Sequence, residues 1–256
     1  MYLRKYLRES RIVSLICALC IGLMALAIFR HRIDVLGDQQ KVPNVAGVFL
    51  FMQLLPVGLM AWLMGAFGVG RDLGDGSGSY LLTRPRSRRW FSWRDWGFGL
   101  AHVLAAVVVV NLLFGYVLHR LVGAGGGPWS GAVLFRDMDS PVRITTLISL
   151  NCLTLILFAG LIFGVTYCST IAVKHARGVM LGAGIVIGYV ILGAVLDHYW
   201  PAIKPPSLIL REFTFSMASG GPVTIANPLR LEVAVRAAVM LLFPVAAQLI
   251  LERSDI

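Results

Sequence analysis

Side chains able to do chemistry are sparse in this chain, and their spacing argues against catalysis. His102 and Asn111 are the notable polar groups in an otherwise apolar run. Inside a membrane helix, each can either hydrogen-bond to a neighbouring helix or touch a substrate on its path. His119, His175 and His198 lie near the ends of apolar runs, and none has a paired nucleophile in view. There is no His-Glu-x-x-His and no Gly-x-x-x-x-Gly-Lys-Ser/Thr, so neither a zinc peptidase nor a P-loop site is expected. Cys17 and Cys20 form a Cys-x-x-Cys, but within an apolar run; with Cys152 and Cys168 they read as small buried hydrophobes. Asp137 and Asp139 stand one residue apart in a glycine-containing loop, with nothing nearby to complete a cation site. No catalytic, cofactor-binding or metal residue is therefore expected, and the chain is not expected to be an enzyme.

The most polar stretch runs from Arg71 to Arg89. Glycines at 74, 76 and 78 each cost a helix about 1 kcal/mol relative to alanine, so the segment is a weak helix by itself. Their alternation lacks the strand-to-helix setting of a dinucleotide site. Asp72 or Asp75 can cap a helix start, with Ser77 and Ser79 as further options. Tyr80, Leu81 and Leu82 supply an apolar patch, and Pro85 pushes Arg84 out of helix. A weak helix with exposed apolar residues makes sense where a partner orders it; the alternative is a loop lying on lipid with its arginines snorkelling.

The elements that hold this segment follow from composition. The chain has 256 residues, 57% hydrophobic and 14% charged, whereas a soluble domain carries about 25% charged residues. Apolar runs long enough to cross a bilayer are expected at roughly 12–29, 46–69, 97–118, 144–171, 178–196 and 233–251. These runs predict an all-α membrane protein with six transmembrane helices in one domain, 1–256. The spans themselves contain no central Asp or Glu, which argues against an ion-coupled carrier. The net charge of +10 is explained by loops rather than by nucleic acid. An N-in/C-in topology puts the two densest basic clusters, Arg4/Lys5/Arg8/Arg11 and Arg84/Arg86/Arg88/Arg89/Arg94, on the cytoplasmic side. Residues 1–11 read as an amphipathic interfacial helix, and the first apolar run as an uncleaved span rather than a signal peptide.

Other features concern assembly. Trp90, Trp93 and Trp96 read as an aromatic belt. Gly160/Gly164, Gly178/Gly182 and Gly184/Gly188 have the spacing that lets helix backbones approach, within one chain or at a dimer interface. Pro56 and Pro244 each remove a backbone donor inside a span. The external loop 197–232 is long, and its role is not readable.

The polar segment resembles the cytoplasmic loop of type-2 ABC transporter permeases, the membrane subunits of bacterial ABC exporters. That family has an acid after the second span, then glycine with a small hydroxyl residue, a leucine pair and Pro-x-Ser-Arg. Asp72 stands where the family has glutamate; Gly76-Ser77, Leu81-Leu82 and Pro85-Arg86-Ser87-Arg88 match in order. Arg94 approximates the basic group that follows. The six-span plan and the long fifth loop agree. The resemblance implies that 70–96 is a cytoplasmic coupling loop whose short helix fits an ATPase cleft, with Asp72, Gly76, Ser77, Leu81, Leu82, Pro85, Ser87 and Arg88 as ATPase-coupling residues. It implies a bacterial cytoplasmic-membrane exporter in which two copies of a separate ATPase subunit hold ATP and magnesium. A second permease subunit, identical or related, would complete a dimer. Alternatives are an ABC-like permease serving membrane-complex maturation or signalling, and a non-transport membrane anchor.

Overall fold

The computed structural model describes residues 2–35, 42–67, 69–74, 88–122, 132–133, 142–175, 177–199 and 227–253. These form helices α1 (Tyr2–Val35), α2 (Val42–Ala66), α3 (Val69–Gly74), α4 (Arg88–Val122), α5 (Ile144–Val173), α6 (Gly178–Tyr199) and α7 (Asn227–Arg253). A two-residue antiparallel pair, β1 (Ala132–Val133) with β2 (Val142–Arg143), precedes α5, with Ala132 opposite Arg143. Helix dominates because these runs are apolar: in hydrocarbon only a helix satisfies every backbone N–H and C=O within its own segment.

Among the described residues five stretches are long and apolar enough to cross a membrane: Met52–Gly74, Arg89–Tyr116, Ile148–Val173, Gly178–Leu196 and Val233–Arg253. The first expected span falls within α1, whose apolar described stretch, Ser10–Leu23, is shorter. The helix runs from Tyr2 through the expected boundary at residue 11 without a break, so surface segment and span are one rod. The outward faces are greasy. Leu15 and Leu19 of α1, Met180 and Ile187 of α6, and Leu241 and Leu242 of α7 are all exposed. Gln53, Asn111, Asn151, Thr166 and Thr170 are buried instead. An apolar exterior around a partly polar interior is what a lipid solvent selects, and it marks the chain as a helical, multi-pass membrane protein.

α5 is the centre of the bundle. Leu155, Ala159, Phe163, Tyr167 and Ile171, each four residues after the last, are all buried and form one continuous stripe. Around α5 stand α2, α3, α4, α6 and α7, while α1 rests on α2 and α4. An aromatic column fixes α4 against this centre. Trp96 lies 6.2 Å from Phe163, Phe163 stacks on Tyr167 at 5.8 Å, and the Tyr167 hydroxyl donates to the Ser92 carbonyl at 3.1 Å. The three tryptophans expected in one belt thus divide: Trp90 and Trp93 are exposed and Trp96 is core.

The glycine pairs also divide. Gly160 and Gly164 of α5 leave room for Met240 and Phe243 of α7. Gly178 and Gly182 of α6 sit against the α5 backbone at Thr170 and Thr166. Gly184 and Gly188 meet nothing within 4 Å in the described residues.

Candidate functional site

The polar segment is approached from two sides. On the first, α2 closes where Phe67 N–H donates to the Met64 carbonyl at 3.3 Å, and α3 starts at once. The first N–H of α3, at Val69, has no carbonyl behind it within the helix. It is capped from another helix: Asp95 Oδ2 of α4 accepts it at 2.9 Å. Asp95 is 1% exposed, so this is a buried carboxylate turned into a helix cap. We expect Asp95→Ala to destabilise the protein by about 1 kcal/mol and to speed amide exchange in Val69–Gly74. Asp95→Asn, which keeps an acceptor, should lose less. Exchange unchanged in both variants would count against the cap.

α3 then lies against the last turn of α5 with no side chain between them. A Cβ at Gly70 would come 2.6 Å from the Thr170 carbonyl carbon, and one at Gly74 2.6 Å from the Lys174 carbonyl oxygen. Gly65 of α2 makes room for the Thr166 side chain and comes close to the Phe163 carbonyl, and the Thr170 hydroxyl donates to the Gly65 carbonyl at 3.2 Å. From α6, Gly178 and Gly182 close on the same stretch, and the Trp62 indole N–H reaches the Val179 carbonyl at 3.1 Å. The end of α5 is therefore clasped between α2/α3 and α6, with α3 and α6 meeting it backbone on backbone.

On the second side, the start of α4 is tied to the end of α7. Arg89 Nε donates to Glu252 Oε1 at 2.8 Å, and Trp93 Nε1 to Gln248 Oε1 at 3.1 Å. Gln248 Nε2 in turn donates to Glu252 Oε1 at 3.1 Å. The Arg89–Glu252 pair is exposed and worth little alone; its value is geometric. Arg94 lies over the Trp90 ring, 4.2 Å from its centroid.

Of the expected coupling residues, Asp72 is described: it is 4% exposed, on α3. Arg88 is the first residue of α4, its side chain outside the described set. Gly76, Ser77, Leu81, Leu82, Pro85 and Ser87 lie outside the described residues.

The two expected substrate-path residues occupy separate places. His102 Nδ1 donates to the Phe98 carbonyl at 2.8 Å, one turn back on α4. That puts its proton on Nδ1 and makes Nε2 the acceptor for the Ser10 hydroxyl of α1 at 3.4 Å. Asn111, nine residues further along the same helix and so about 13 Å away, joins a buried amide cluster. Gln53 of α2 and Asn151 of α5 exchange both amide hydrogen bonds, one of them at 3.1 Å. Asn151 Nδ2 also donates to Asn111 Oδ1 at 2.8 Å. One asparagine thereby ties three helices through both of its N–H groups.

Sequence reasoning passed over Gln53, Asn151, Asp95 and Arg236. Arg236 is buried in α7. For Gln53, Asn151 and Arg236 the signal was present: an amide or a charge inside an apolar run is costly, and it is seldom there without a partner. Among the described residues no group of His, Cys, Asp and Glu could hold a metal ion. No family model, curated protein or solved structure matches the chain.

Proposed function

We propose that this chain is the membrane-spanning permease subunit of an ATP-driven exporter in a bacterial cytoplasmic membrane. A separate ATPase, in two copies, docks on the segment between α3 and α4, and a second permease subunit completes the pore. What carries the reading is the way the two flanks of that segment are held. On one side α3 sits backbone-to-backbone on α5, close to the foot of α6. On the other, the start of α4 is tied to the end of α7. A segment hung between two such anchors passes a push from outside the membrane directly to four spans. Beyond the buried Asp72 of α3, the order of residues from Gly76 to Arg88 supplies the docking chemistry: a glycine with a small hydroxyl residue, an apolar leucine pair and a basic exit. Alternating access then needs no charged group in the spans, because the driving force enters through the segment.

The test is whether an ATP-binding cassette ATPase is encoded beside this chain and co-purifies with it, followed by ATPase assays in lipid. Gly76→Trp and Arg88→Glu should each weaken docking by about 1–3 kcal/mol, the range in which a central contact residue matters, and so abolish most of the ATPase stimulation. Thermal unfolding of the permease alone should not change. Stimulation equal to that of the parent chain in both variants would sink the assignment.

A further inference from the structure

The corner where α3 meets the turn between α5 and α6 gathers positive charge from two segments. Arg71 stands on α3; Lys174 and Arg177 belong to the turn, with His175 between them. Backbone approach holds the two segments together, since a Cβ on Gly74 would come 2.6 Å from the Lys174 carbonyl oxygen and 2.9 Å from His175 Cα. His175 and Arg177 are exposed, and Arg71 and Lys174 half-buried. The turn has a defined internal structure. Lys174 N–H donates to the Ile171 carbonyl at 3.2 Å, and Arg177 N–H to His175 Nδ1 at 3.0 Å, so the neutral imidazole carries its proton on Nε2. Lys174 has φ 51°, the left-handed region that glycine fills without strain and a lysine does not. Of the described acids nearby, Asp72 is buried on α3 and Asp95 caps that helix.

Depth decides what such a corner meets. α5 ends at Val173 and α6 begins at Gly178, and both are long enough to cross a membrane. A turn this short between two spans lies at headgroup level. Directly beyond it, Met180 and Leu181 of α6 are exposed apolar side chains. Cations at headgroup height above exposed hydrocarbon match an amphiphile with an anionic head. We propose that this corner is a binding site for the phosphate headgroup of an anionic phospholipid, whose acyl chains run down α6 over Met180 and Leu181. Arg71 and Arg177 approach the phosphate from the two segments, and Lys174 and His175 Nε2–H complete the donor set.

The experiment uses the full chain in detergent and a fluorescent phosphatidylglycerol as probe. Lys174→Gly removes the charge and relieves the backbone; it should weaken lipid binding roughly fivefold, about the worth of one cation at a lipid surface, while raising or preserving thermal stability. The combined Lys174→Gly and Arg177→Gln variant should weaken it by at least about tenfold. Arg253→Gln, an exposed arginine at the end of α7, should change it less than about twofold. Equal losses for Arg253→Gln and the double variant would reduce the site to general surface charge and overturn it. So would unchanged binding in the double variant. Displacement of the probe by millimolar inorganic phosphate would assign the corner to a soluble anion rather than to a lipid; no displacement, with competition by unlabelled phosphatidylglycerol, is the expected result.

Discussion

Leucine in place of Gly178 should prise α6 away from the bundle. A Cβ at this position lands on the Thr170 Cα, and 2.6 Å from the Ser169 carbonyl oxygen. Both are backbone atoms of α5, so no rotamer change can make room. The helices must part, and the Trp62-to-Val179 hydrogen bond at 3.1 Å is lost with the contact. Forcing extra methylenes into a close-packed contact costs about 1–3 kcal/mol when side chains can adjust, and a contact with rigid backbone belongs at or above the top of that range. Gly184→Leu supplies the control on the same helix, because nothing lies within 4 Å of a Cβ there among the described residues. Thermal unfolding in detergent should fall sharply for Gly178→Leu and stay near the parent value for Gly184→Leu. Indistinguishable melting curves would mean that the backbone contact does not hold α6.

The second large effect is expected at Asn151. Leucine there removes three hydrogen bonds at once and leaves the amides of Gln53 and Asn111 buried without it. A stranded buried polar group costs about 1–3 kcal/mol, while interhelical hydrogen bonds in membranes average nearer 0.6 kcal/mol with maxima about 1.7. A loss of about 2–4 kcal/mol follows for Asn151→Leu. Asn111→Leu breaks one bond of the cluster and should cost less. Replacing Gln53 and Asn151 together should cost less than the sum of the two single changes, since the second replacement removes an amide already stranded by the first. Additive losses in chemical unfolding would show that the cluster does not act as a unit.

Much of the architecture was legible because hydrocarbon thickness sets a length that apolar runs must meet. The runs at 97–118, 144–171, 178–196 and 233–251 each fall within one helix, with ends extended by up to nine residues. Those extensions were illegible for a physical reason. Arg88–Trp96 is polar enough to read as loop, and it is helical because Tyr167, Phe163 and Gln248 give its Ser92, Trp96 and Trp93 something to hold. Tertiary partners also explain the mixed outcome for the glycines. Spacing alone identifies Gly178 and Gly184 as equally able to admit a neighbour; only the position of α5 makes one a contact and leaves the other open. Asn111 stood out as polar in an apolar run. The rest of its cluster did not, because Asn151, 40 residues away in the chain, bonds it, and Gln53, 58 residues away, bonds Asn151, only after three helices have assembled. Asp95 was missed because acids were sought at the centres of spans, whereas this one serves at the foot of α4 by capping another helix.

The central place of α5 has a consequence for how the protein is made. A chain emerges from synthesis N-terminus first, so α1, α2 and α4 are delivered to the bilayer before the helix on which most of the others rest. Until α5 arrives, Gln53 and Asn111 lack the asparagine that joins them, and Gly65 and Gly70 lack the backbone they press against. Before α5 arrives, α1, α2 and α4 can still touch one another, but they carry polar groups toward a seat not yet filled. Insertion of α5 is the event that turns that set into a bundle, and α6 and α7 then add to a surface already formed.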